Sequence, residues 1–193
     1  IRIVKKVTKA ANKLVEEFML LANKNVGKFV GDTKRKTTIP FIYRVHDTPD
    51  AEKVEQFRVF VQKFGKQFQF KDEQDIARKM NDLFVTFKDD PNFNIIQQMA
   101  IKSMSKAIYD TDNIGHYGLG FRYYAHFTSP IRRYADLSVH RVLFDVLHNS
   151  KLKASKLTET AKHISITERK AVEAERASKK YYQAHFLKDQ IGQ

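Results

Sequence analysis

The sequence predicts an α+β fold, mostly helical, with two or three short strands. Three observations lead there. Apolar side chains recur at helical spacing over long stretches. Helix start and stop signals bracket those stretches. Strand-like runs are few and brief, FIYRVHD at 41–47 and AIYD at 107–110.

Residues 10–30 place Ala11, Val15, Phe18, Ala22, Val26 and Phe29 on one helical stripe, expected to be the buried side. The polar run GDTKRKTTIP closes that helix, and FIYRVHD then alternates as a short strand. Beyond the turn TPD, residues 51–64 form a second expected helix, with acids in its first turn and Gly65 behind its end. A third opens at KDEQD and covers 72–84, and Pro91 opens a fourth reaching Lys106. AIYD is an expected strand leading into a glycine-containing loop. Ser129-Pro130 reads as the start of a fifth helix: serine can accept from an orphan backbone N–H, and proline at the first helical position has none to lose. That helix is expected to reach Leu147 with Ala135, Val139, Val142 and Val146 inside. A last helix starts near Ser155, restarts at the capping-box pattern Ser165–Glu168, and continues to Lys188. No internal repeat or low-complexity tract interrupts this order.

With 193 residues, 42% of them hydrophobic, the chain can bury a substantial core and is no disordered basic tail. Lys and Arg number 35 against 22 Asp and Glu, a formal net charge of +13. A folded chain this basic is expected to meet a polyanion, nucleic acid first; a merely soluble basic protein is the bland alternative. There is no cysteine, which excludes disulfides and thiolate metal sites. Apolar runs such as Phe18–Ala22 are too short to span a membrane. The opening IRIVKKVTKA has neither an initiating Met nor a signal-peptide core, so the chain is expected to be a piece of a cytoplasmic protein.

Chemistry concentrates in GHYGLGFRYYAHFTSPIRRYADLSVHR, residues 115–141. Arg132 and Arg133 follow a helix start, where the dipole is already positive. Two guanidiniums there oppose the helix unless an anion joins them, and phosphate accepts from arginine in bidentate fashion. Asp136, one turn past Arg132, is expected to hold that guanidinium, with His140 continuing the row. Solvated surface charge is the competing reading. His116, Tyr117, Phe121, Tyr123, Tyr124 and Phe127 offer flat faces on which bases could stack, though the spacing of Tyr124 and Phe127 also suits a core. Gly118 and Gly120 allow positive φ or close approach to a ligand. In the first helix, Glu17 shares a row with Lys13, Lys24 and Lys28 and belongs to a solvated face. Glu16 shares its row with Leu20, Asn23 and Gly27 and is expected to touch another segment; a peripheral acid is the alternative. Asp72, Glu73 and Asp75 read as helix capping, as do Asp89 and Asp90 before Pro91. The seven histidines show no metal-ligand spacing, and no aspartate cluster suited to two-metal chemistry is present.

The stretch HYGLGFRYYAHFTSPIRRYADLSVHR resembles the signature of the RNB family of 3′→5′ exoribonucleases. VEEFMLLAN (15–23), YRVHDTP (43–49), KSMSKAIYDTDNIGHYGLGF (102–121) and ERKAVEAER (168–176) extend the resemblance in the same order. It implies that residues 1–193 are the C-terminal half of an RNB catalytic domain. The parent would be a processive, magnesium-dependent hydrolase degrading single-stranded RNA from its 3′ end to nucleoside monophosphates. By the same resemblance the magnesium-binding aspartates lie in the preceding half of the domain, so no metal is expected in this chain. Cold-shock-type domains would precede it and an OB-fold domain follow, with the boundary near 190–193. Arg132 would support the scissile phosphate and Glu16 would sit near the terminal ribose, while Arg133, Ser129, His116, Tyr117, Tyr124 and Asn23 would contact RNA. A non-catalytic RNA-binding module derived from that domain is the alternative.

Overall fold

The computed structural model describes residues 7–31, 39–150 and 156–188, with Glu73 and Gln74 described through their backbone only. In chain order these form α1 (Ala10–Gly31), β1 (Tyr43–Val45), α2 (Ala51–Gln62), α3 (Glu73–Thr86), α4 (Phe93–Ser103), β2 (Ile108–Asp110), a 3-10 turn (Tyr117–Leu119), α5 (Tyr134–Leu147) and α6 (Leu157–Leu187). β1 and β2 make a two-stranded sheet. The mostly helical α+β architecture is the one the sequence predicts. No helix among the described residues is long and apolar enough to cross a membrane.

The chain divides into two compact units. One holds residues 45–108 and 114–122 and is built on α2, α3 and α4. Asp50 caps α2 by accepting from the Glu52 and Lys53 N–H groups, and Asp72 caps α3 through the Asp75 N–H. Asp90 likewise accepts from the Asn92 N–H. Val54, Phe57, Val61, Phe68, Ile76, Met80, Leu83, Phe87, Ile96 and Ala100 interlock between the three helices. Phe57 and Phe68 meet edge to face at 5.2 Å. Each such fully buried large apolar side chain contributes about 1.5–3 kcal/mol.

The other unit holds α1, α5 and α6 with residues 109–113 and 123–133. Ala135, Ala161, Ile164, Ile42 and Tyr109 form its packed centre. Arg44, on β1, pairs with Glu168 of α6 at 2.6 Å and lies over the Tyr109 ring at 4.5 Å.

Three expectations need correction. Val15, Phe18 and Phe29 are exposed; α1 packs instead through Asn23, Gly27 and Val30. Gly27 is the reason, because its missing side chain lets α1 approach the backbone of Tyr124 and Ala125. Ser129-Pro130 opens a turn, and α5 begins only at Tyr134 behind an extended Arg133 (φ −127°, ψ 120°). The Ser165–Glu168 pattern does not restart a helix: α6 is continuous through it. Ser165 Oγ bonds back to the Ala161 carbonyl and accepts from the Tyr109 N–H, so the hydroxyl ties the helix to β2 without breaking it. Two smaller differences follow: α4 ends at Ser103, and the expected start at Ser155 lies outside the described residues.

Candidate nucleic-acid interface

The turn Ser129–Arg133 precedes α5 and is built around one acid. Asp136 sits in the first turn of α5 and is fully buried. Its Oδ1 accepts from the Ser129 N–H at 2.8 Å and from Arg133 Nη2 at 2.7 Å, and its Oδ2 accepts from Arg133 Nε at 2.8 Å. A bidentate arginine is the partner a buried carboxylate requires, since charge and both oxygens are then satisfied together. The expected partner of Asp136 was Arg132, one turn back; the acid holds Arg133 instead. Arg133 caps the helix from an extended conformation, so helical i, i+4 spacing does not apply across it, and the i, i+3 pair forms.

Arg132 is therefore the other arginine of the pair. Its side chain is exposed and makes no ion pair among the described residues. Ile131, beside it, is fully exposed at 102%. Upstream, the segment 123–128 is held from α1. The Asn23 Oδ1 accepts from the Phe127 and Thr128 N–H groups at 2.9 and 3.2 Å, and Asn23 Nδ2 donates to the Tyr124 hydroxyl at 3.1 Å. Asn23 and Tyr124, both expected to contact RNA, are buried at 3% and 5% with these polar atoms on protein partners. His140 stacks on Phe127 at 4.1 Å, and its Nε2–H donates to the Phe127 carbonyl at 2.8 Å. Glu16 and Glu17 are both exposed on α1. Glu16 lies on the row of Asn23 and Gly27, the row that packs against segment 124–128.

His116 and Tyr117 belong to the unit built on α2–α4, in the loop 114–122. That loop is organised by His46, which sequence reasoning did not single out. The Gly118 N–H donates to His46 Nδ1 at 2.9 Å, and His46 Nε2–H donates to the Ser105 carbonyl at 2.8 Å. The His46 and His116 rings stack at 5.0 Å. Gly120 takes the left-handed conformation (φ 65°), one of the two uses that its lack of a side chain allows. A sequence signal for His46 existed in its place inside YRVHDTP, but nothing in the spacing of residues 46 and 118 announces their contact.

A second missed group links Arg44, Glu168, Tyr109 and His126. The Tyr109 hydroxyl lies 2.8 Å from His126 Nδ1, one residue before Phe127. Burial pushes the Tyr109 phenol up to about 12, so it stays protonated near neutral pH. Among the described residues no three His, Cys, Asp or Glu side chains converge on a point where an ion could be held. The donor set for the magnesium that the resemblance implies is thus not found in these residues.

The RNB domain family matches residues 1–149. Ribonuclease R of Escherichia coli strain K12 is 35% identical over 94% of this chain, and the chain spans 23% of that protein's length. The structure of Mycoplasma genitalium RNase R in complex with ribose methylated single-stranded RNA superposes with a TM-score of 0.85 at 29% identity, over 97% of this chain and 30% of that one. Yeast Ssd1, described as a pseudonuclease, superposes with a TM-score of 0.64 at 28% identity, over 79% of this chain and 19% of that one. The match over most of its length, together with the turn and loop that carry the matching motifs, shows that the chain belongs to the RNB domain family.

Proposed function

We propose that this chain is the C-terminal half of an RNB catalytic domain, residues 1–193, within a cytoplasmic exoribonuclease that hydrolyses RNA processively from its 3′ end to nucleoside monophosphates. The observation that carries the reading is the asymmetry of the arginine pair. Arg133 is neutralised by a buried carboxylate, while Arg132 stands exposed beside it with no ion pair among the described residues. In a chain of net charge +13, an unspent guanidinium on a fixed turn suits a phosphodiester. Arg132 would donate to the scissile phosphate and gain strength as negative charge builds on its oxygens during attack by water. Magnesium, when bound by the parent enzyme, would activate that water; its ligands would come from the preceding half of the domain. Asn23 and Tyr124 would act by positioning segment 124–128. Ser129, His116 and Tyr117 are assigned to RNA contact, and Glu16 to the terminal ribose, which its place on the Asn23 row supports.

The likeness to a pseudonuclease favours a second reading, an RNA-binding module without hydrolysis. Release of labelled monophosphates from single-stranded RNA by the full-length parent separates the two. The nuclease reading expects release that stops with chelator and with Arg132→Ala. Tight binding with no release would establish the binding module instead.

A further inference from the structure

We infer that Asp136 is the positioning residue of the arginine turn, closing Ser129–Arg133 from both ends so that Arg132 is held outward; this rests on the phosphate-binding reading of Arg132. The run 127–133 is tied at four points. The Phe127 and Thr128 N–H groups are held by Asn23, the Ser129 N–H by Asp136, and the Arg133 guanidinium again by Asp136. The two residues most exposed within that run are Ile131 and Arg132. Pro130 adds a fixed φ between the tethers. Asp136 is 0% exposed and acts only through the turn it closes, so it touches no ligand itself.

Position and charge make opposite demands on one substitution. Asp136→Asn removes a negative charge and releases Arg133, so electrostatics alone calls for tighter binding to a polyanion. If the carboxylate instead sets where Arg132 stands, binding weakens although the chain has become more basic. The experiment measures binding of a fluorescein-labelled single-stranded oligoadenylate RNA to the full-length parent, with chelator present to prevent cleavage, as salt is varied. Wild type, Arg132→Ala, Asp136→Asn and the double variant are compared, each with a thermal melt.

Arg132→Ala is expected to weaken binding about tenfold, the loss of one charge-assisted contact. It should flatten the slope of log affinity against log salt by about 0.7, one phosphate contact on a single strand. Asp136→Asn should do the same, and the double variant no more than either single one. A merely structural role would lower the melting temperature and add its loss equally with or without Arg132. Tighter or unchanged binding by Asp136→Asn, or an additive cycle, overturns the inference while leaving the reading of Arg132 intact. If Arg132→Ala leaves affinity and slope unchanged, the phosphate-binding reading itself fails and the inference falls with it. Should Asp136→Asn not fold, Arg133→Lys keeps the charge but loses the two-pronged bond to Asp136. It is expected to weaken binding in the same way, and unaltered binding would overturn the inference.

Discussion

Gly27→Ala tests how α1 reaches the candidate site. In an exposed helix this change stabilises by about 1 kcal/mol, because glycine is the poorer helix former. At position 27 a methyl group would stand 3.1 Å from the Tyr124 nitrogen and 3.2 Å from the Ala125 nitrogen and the Tyr124 carbonyl carbon. These are backbone atoms, and they cannot swing away as a side chain does. The Tyr124 carbonyl accepts from the Arg44 N–H at 2.9 Å, which pins the segment from its other side. Overpacking of this kind costs about 1–3 kcal/mol. Subtracting the helix gain leaves a net loss of about 1 kcal/mol. Because Asn23 lies one turn earlier on the same row, lifting α1 would also stretch its bonds to Phe127 and Thr128. Urea unfolding of Gly27→Ala beside wild type gives the net change, and Asn25→Ala, at an exposed position of the same helix, shows that an alanine there is tolerated. A Gly27→Ala chain that is more stable than wild type would refute the close approach as the reason α1 packs on this face.

Three further outcomes are expected. Burial pushes Tyr43 and Tyr109 each up to about 12, against about 10 in an unfolded chain. Their contribution is complete below about pH 10 and is lost as pH rises toward 12, at about 2–3 kcal/mol each. Urea unfolding across that range should show the loss, smaller in Tyr109→Phe; a flat profile would contradict it. In the full-length parent, Arg132→Lys should lower single-turnover degradation nearly as far as Arg132→Ala, about 10²–10³-fold, since lysine lacks the planar fork. Near-normal turnover in Arg132→Lys would count against a transition-state role. Glu17→Ala should be close to silent in that assay while Glu16→Ala is not, and the reverse order would move the ribose contact to Glu17.

The starts of α2 and α3 were legible, because caps are local: Asp50 and Asp72 do what their position before an apolar run requires. The capping-box pattern at Ser165 misled for the same reason. It is a local signal, and a distant partner, the Tyr109 N–H, gave the hydroxyl another use. The α1 stripe misled because periodicity records which residues are apolar, whereas packing here follows a glycine and an asparagine whose partners lie about a hundred residues away. The matching motifs located the arginine turn. Which arginine the acid holds depended on where the helix actually starts, and one misplaced turn paired Asp136 with Arg132 in place of Arg133.

α6 spans 31 residues, about 46 Å at 1.5 Å per residue. Its buried residues are Ala161 and Ile164, and Glu168 adds the tether to Arg44. Beyond that point the helix is exposed nearly all round. Amide hydrogens past Glu168 should exchange at rates set by an almost solitary helix, whose cooperativity is weak at this length. Those near Ile164 should wait for global opening. The same geometry makes α6 a lever: a tilt of about 10° at its packed end carries the far end through about 5 Å. A load applied at residues 180–187 would reach the arginine of β1 through Glu168 only while the helix between them stays wound.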